Sequence, residues 1–163
     1  MQQLSWESAR FHLCLRQAVT KELAGWIFLQ SSIVLGGHLM SEQVTYELLK
    51  GFLEAFNCHD LDSIMAYFAE DCVFYMPRGA RPRGDRYVGK NEVRVGLAKR
   101  FEGIPDVHYG EDQHWVGDDF GVSEWTLTGT SASGQKIEVR GVDLLEFADG
   151  KITRKDSFWK ILE

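Results

Sequence analysis

Cysteine is scarce in this sequence and positive charge is outweighed by negative, and each shortage removes a class of function. The three cysteines, Cys14, Cys58 and Cys72, are odd in number and form no C-x-x-C pair. That usage fits reduced thiols better than a disulfide framework, so a cytoplasmic protein is expected. The histidines offer no metal motif either: His59 merely adjoins Cys58, and His108 and His114 stand six apart, which suits neither one helix face nor a usual zinc spacing. With 18 Lys and Arg against 24 Asp and Glu, for a net charge of −6, the chain lacks the clustered positive charge that tracking a phosphate backbone requires. Nucleic acid is therefore not an expected partner. No repeat period is visible. What remains is an ordinary globular composition, 44% hydrophobic and 26% charged, in 163 residues, enough for one domain with a full core.

Uncharged apolar runs are short, with one exception. Residues 23–40, LAGWIFLQSSIVLGGHLM, carry no charge, but Gln30, Ser31, Ser32, Gly36, Gly37 and His38 make a poor membrane span. A secretory leader is also a poor fit, because Glu7 and Glu22 sit where a basic region belongs and no A-x-A-like site follows. Residues 1–39 hold three basic and two acidic residues, leaving 15 and 22 for 40–163. This difference in character marks 1–39 as an N-terminal extension outside the domain 40–163, either upstream of a start at Met40 or an added helix over an apolar surface.

Beyond Met40 the pattern becomes regular. Ser41 is an N-cap candidate, and Val44, Leu48, Leu49, Phe52, Leu53 and Phe56 recur at the spacing of an amphipathic helix ending at Asn57-Cys58-His59. Asp60 is placed to cap a short second helix through Leu61, Ile64, Met65 and Phe68, followed by a strand from Cys72 to Met76 that stops at Pro77. A third helix is expected from about Lys90 to Glu102, with Val93, Leu97 and Phe101 inward. Strands then follow at roughly 107–116, 120–130, 135–147 and 151–161, with turns at Gly117-Asp118-Asp119 and Asp149-Gly150. Three helices before a run of hairpins imply an α+β fold, a bent antiparallel sheet wrapped around the first helix. Within it Asp143, between Val142 and Leu144, lies either on a solvated strand face or in an enclosed space suited to proton chemistry.

From about residue 42 to 162 this order, with NCHDLDSIMAYFAEDCVF, YVGKNEVRVGL and RGVDLLEFADGKI, resembles the NTF2-like superfamily and, within it, the SnoaL-like group. The resemblance implies an NTF2-like cone: three helices packed in a strongly curved, mostly antiparallel sheet, with a ligand pocket at the open end. Its members include ketosteroid isomerases, limonene epoxide hydrolases, polyketide cyclases and proteins with no catalytic role, so the fold does not name a reaction. The general-base Asp of ketosteroid isomerases matches Met76 and their oxyanion-hole Tyr matches Phe52, neither of which can act, whereas their second oxyanion donor, an Asp, matches Asp143. The Arg-x-Asp pair of limonene epoxide hydrolases matches Trp125 and Leu127, and their water-holding Tyr and Asn match Phe74 and Met76. Their last-strand Asp matches Ser157 without gaps. Only a one-residue slip brings in Asp156, and a slip of one turns every side chain to the other face.

The resemblance thus implies that Asp143, Lys155 and Ser157 form the catalytic set, with Asp156 pointing away. Trp125, Leu127, Phe74, Met76, Trp159, Trp115 and Phe52 are expected around a hydrophobic, ring-containing, carbonyl-bearing ligand. The chemistry implied is acid/base assistance of an isomerase, cyclase or lyase type, with no metal or cofactor. The alternative is a non-catalytic module that binds a ligand or dimerises. The hairpin turn bears on these assignments. With Asp149-Gly150 as a two-residue turn, Asp143 lies opposite Asp156 and the carboxylates repel. With Gly150 as a left-handed bulge after Ala148-Asp149, Phe147 pairs with Lys151 and Asp143 lies opposite Lys155, the better neighbour and the expected geometry. Arg78, Arg81, Arg83 and Arg86 crowd a loop near the implied pocket mouth, where guanidinium groups can clamp a carboxylate or phosphate. Thr126, Val142 and Leu144 lie on the opposite sheet face, through which this superfamily commonly forms homodimers; Glu138, Arg140 and Glu146 there can cross-pair about a two-fold axis.

Overall fold

The computed structural model describes residues 43–161. The expectations for residues 1–39 and the apolar run 23–40 fall outside them. Helix α1 (Tyr46–Asn57) is capped by Thr45, whose Oγ1 accepts the Leu48 N–H at 3.1 Å, rather than by Ser41. Val44, just before this cap, is already in the core, so the chain is anchored where Thr45 can supply the hydroxyl. Leu49, Phe52, Leu53 and Phe56 form the buried stripe of α1. The helix stops where His59 takes a left-handed φ of 56°. Asp60 then caps helix α2 (Leu61–Met65) by accepting the Ser63 N–H at 3.0 Å.

Phe68 does not extend α2. It opens strand β1 (Phe68–Tyr75), which starts earlier than Cys72 because Phe68 pairs with Ile152 of the last strand, and the Ile152 N–H donates to Tyr67 O at 2.8 Å. A short strand β2 (Arg86–Val88), not expected from sequence, forms by antiparallel pairing with β1. Helix α3 (Lys90–Gly103) turns Val93, Gly96 and Leu97 inward. Strands β3 (His108–Val116), β4 (Phe120–Thr130), β5 (Lys136–Ala148) and β6 (Lys151–Trp159) complete one six-stranded sheet in the order β2-β1-β6-β5-β4-β3. Every neighbouring pair is antiparallel except β1 with β6. The expected α+β fold is the one observed. Register shifts in β1, β3 and the β5–β6 pair bend the sheet around α1, as bulges do.

The last hairpin differs from the expected geometry. Ala148 pairs with Lys151, and Asp149 and Gly150 both have positive φ, 49° and 69°, the two-residue turn whose twist matches the flanking strands. The bulge lies not at Gly150 but at Thr153, which has no partner between the Phe147–Ile152 and Glu146–Arg154 pairs. Beyond it Asp143 lies opposite Ser157 and Leu145 opposite Lys155. A tight turn without the bulge would set two carboxylates face to face; the added residue replaces Asp156 with Ser157. Among the described residues, Cys72 is free and buried. Among the described residues no helix is long and apolar enough to cross a membrane.

Candidate functional site

On the concave side of the sheet, β5 supplies Asp143 and β6 supplies Lys155 and Ser157, all three buried. Ser157 Oγ donates to Asp143 Oδ1 at 2.6 Å and accepts from Lys155 Nζ at 2.7 Å, while Lys155 and Asp143 also form a direct ion pair. Each charged side chain of this pair is only 5% exposed. On β4, Trp125 donates its indole N–H to Asp143 Oδ2 at 3.2 Å, so both carboxylate oxygens are engaged.

Gly141 makes that last contact possible. It pairs directly with Trp125 across β4 and β5, and a Cβ there would come within 2.2 Å of the indole ring. The ring lies flat over a strand position that carries no side chain and reaches Asp143 two residues further on.

Lys155 Nζ sits 5.4 Å from the Phe74 ring centre and 5.9 Å from that of Phe56. Burial in these surroundings pushes its pKa below the ordinary lysine value, and nearby Arg100 pushes the same way; the attraction of Asp143, with a smaller contribution from Asp156, opposes both. Burial also pushes the Tyr109 hydroxyl up to about 12, here with Arg100 opposing it.

These groups surround a cavity of about 10 Å³, walled also by Phe56, Phe74, Met76, Gly96, Leu97, Arg100, Tyr109 and Trp159. That is room for about one water molecule. A ring-sized ligand beside Asp143 is therefore excluded as the cavity stands. Aromatic packing fills the cone: Tyr109 meets Trp125 edge-on at 5.1 Å and Phe56 at 5.6 Å. Arg100 stacks on Trp159 at 4.3 Å and Arg78 at 4.9 Å. Among the described residues, the Trp159 indole N–H is a buried donor with no partner.

Asp143, Lys155, Ser157, Trp125, Phe74, Met76 and Trp159 are thus brought together. Phe52 and Leu127 are not: both are buried core, with Phe52 packed on Phe56, Tyr67 and Phe68. Arg78 does not line the cavity; its guanidinium lies over the Trp159 ring. Trp115, expected in the cavity wall, is 45% exposed on the other sheet face, opposite Val122. Asp156 also lies on that outer face, bonded to Arg154 Nη2 at 2.7 Å. Sequence reasoning missed Arg100 and Tyr109. Arg100 stands three residues after Leu97 and is on the same helix face, a signal hidden because only apolar residues were counted inward.

A second polar cluster lies nearby. Buried His114 bonds Ser123 Oγ at 2.9 Å through Nδ1 and Asp112 at 3.0 Å through Nε2, and burial holds its pKa down against the pull of Asp112.

Several solved structures share this architecture. An NTF2-like protein of unknown function from Mesorhizobium loti is 28% identical, with a TM-score of 0.61 over 79% of this chain and all of that one. A candidate polyketide cyclase from Xanthomonas campestris pv. campestris is 22% identical, with a TM-score of 0.62 over 70% of this chain and 88% of that one. A hypothetical protein with a ketosteroid isomerase-like fold from Catenulispora acidiphila, solved with trimethylamine, is 17% identical, with a TM-score of 0.62 over 72% of this chain and 88% of that one. No curated protein matches the sequence. The SnoaL-like domain profile matches residues 49–155, from the first helix through Lys155, and the chain belongs to that family.

Proposed function

We propose that the chain performs acid/base chemistry on a small carbonyl compound, with Asp143 moving the proton and Lys155, Ser157 and Trp125 orienting it. The observation that carries this proposal is the buried, fully hydrogen-bonded Asp143 at the wall of a cavity the size of one oxygen-bearing group. A substrate carbonyl oxygen is of that size. Lys155 and Arg100 outnumber Asp143 there, an excess of positive charge suited to an enolate oxygen. The unpartnered Trp159 N–H is a further donor that a ligand oxygen can satisfy. This chemistry is of the isomerase, cyclase or lyase type, on a substrate smaller than the ring-containing one expected from sequence.

The test is α-proton exchange. Small ketones and β-diketones incubated with the protein in deuterated buffer are followed by NMR; exchange above the buffer rate is expected, falling at least about a hundredfold in Asp143→Asn. Folded wild-type protein that exchanges no member of the panel would refute the proposal. A second proposal, a non-catalytic ligand-binding or dimerisation module, is favoured by the tightness of the cavity and is supported if such ligands bind without exchange.

We further propose a homodimer through the outer sheet face. Trp115, Val122 and Leu144 form one cross-strand row there, and Val142 lies opposite Phe158 in the next, with Trp115, Leu144 and Phe158 exposed. Of the charges expected to cross-pair between copies, Arg140 is already paired with Glu124 and Glu146 with Arg154 within the chain. The apolar rows would therefore drive the association.

A further inference from the structure

We propose that Lys155 is an amine nucleophile that forms an iminium with the carbonyl carbon of an aldehyde or ketone, so that the site works by covalent catalysis through this lysine. This rests on the carbonyl chemistry proposed above and names the group that engages the substrate. Three features of the geometry converge on it. Lys155 Nζ opens on the same small cavity in which a carbonyl oxygen fits, between the Phe56 and Phe74 rings. A carboxylate, Asp143, lies in direct contact to take the ammonium proton, and Ser157 Oγ bridges the two groups at 2.7 and 2.6 Å. The surroundings disfavour the ammonium form: burial among aromatic rings is the largest influence, Arg100 adds to it, and Asp143 and Asp156 oppose it without prevailing. A lysine with such a shift carries more free amine near neutral pH than an exposed one does.

The step balances without a further reagent. Lys155 passes one ammonium proton to Asp143, its lone pair forms the C–N bond, and the carbonyl π pair moves onto oxygen. That oxygen takes the proton from Asp143, giving an N-protonated carbinolamine, and one of its two N–H protons then passes to Asp143 to leave the neutral carbinolamine. Asp143 then delivers that proton through Ser157 to the hydroxyl, which leaves as water while the nitrogen lone pair forms the C=N bond, and the one N–H that stays on nitrogen is that of the protonated imine. In sum, an ammonium and a carbonyl become a protonated imine and one water. The protonated imine carries the same single positive charge as the ammonium it replaces, so buried Asp143 keeps its counter-charge throughout. A buried ion pair tolerates this exchange, whereas a step that left the carboxylate alone would be strongly disfavoured. Arg100, which lines the same cavity beside Tyr109, adds a guanidinium that can pair with a carboxylate or oxygen on the substrate.

Reductive trapping tests the proposal. The protein is incubated near pH 7 with acetaldehyde, acetone or pyruvate and sodium cyanoborohydride, which delivers hydride to an iminium, and the modified lysine is identified by peptide mass spectrometry. Labelling at Lys155 is expected to outpace that at exposed Lys136 and Lys160, by about tenfold for each unit of pKa depression. Lys155→Arg should abolish that label and leave the surface labelling unchanged. Asp143→Asn should slow labelling at Lys155 alone, while circular dichroism reports whether it is folded. The α-proton exchange assay runs in parallel on the same probes. Exchange by folded protein with Lys155 unlabelled overturns the covalent proposal and leaves the acid/base one standing; absence of both exchange and label overturns both.

Discussion

Replacing Lys155 with Met removes the positive half of an ion pair whose side chains are each 5% exposed, and leaves Asp143 bonded to Ser157 and Trp125 but without its ion-pair partner. Breaking a buried pair from one side costs about 3–5 kcal/mol, because the remaining charge has neither water nor counter-charge. For a domain of this size that lowers the thermal midpoint by roughly 10 °C or more. The double variant Asp143→Leu with Lys155→Met removes both charges and should recover most of the loss, to within about 1–2 kcal/mol of wild type or beyond it. Urea unfolding followed by circular dichroism gives all four corners of the cycle. The pH dependence adds a signed check. The pKa of Lys155 is lowered in the fold, so the native state gives up this proton more readily than the unfolded chain. Wild type therefore gains stability as pH rises from the depressed value toward the ordinary 10.5, and Lys155→Met lacks that gain. Tyr109, raised to about 12, works in the opposite direction above its ordinary pKa, but it is common to both proteins and cancels in the comparison. A single variant that loses less than about 1 kcal/mol would refute the argument, since it would mean that the pair is hydrated despite its burial.

Burial holds the His114 pKa below its ordinary value, so as pH falls through 6.5 the unfolded chain takes up a proton more readily than the native state does. Wild type should lose stability between about pH 7 and 5, and His114→Gln should lose less; parallel urea titrations at the two pH values check this. Gly141→Ala drives a methyl group into the Trp125 ring and should cost about 1–3 kcal/mol, with a changed near-ultraviolet dichroism signal as the indole leaves Asp143. If the outer sheet face pairs two copies, Leu144→Asp and Phe158→Asp should each shift the protein from dimer to monomer in analytical ultracentrifugation, while a surface change at Lys136 leaves it a dimer.

Sequence by itself determined the elements whose causes are local. The α1 stripe of Leu49, Phe52, Leu53 and Phe56, the Asp60 cap, the helix beginning at Lys90 and the four long strands all follow from side-chain period and capping chemistry, which act over a few residues. Resemblance to relatives also indicated which face Asp143, Lys155 and Ser157 share, because the period of a strand is two and parity survives wherever the register does. What depended on distant partners was not legible. Strand β2 exists only because β1 offers an edge to Arg86–Val88, and Phe68 left its helical pattern because Ile152 was there to pair with it. The side of the sheet on which Trp115 lies and the inward aim of Arg100 both involve groups far apart in the chain. The hairpin shows the division most sharply. Asp149-Gly150 signals a tight turn from its own chemistry, but the unpaired Thr153 has no such signature, and that one residue places Ser157 rather than Asp156 opposite Asp143. The cavity volume was equally out of reach, because it is the small space left after Phe56, Phe74, Tyr109 and Trp125 have packed, and only their arrangement in three dimensions decides it.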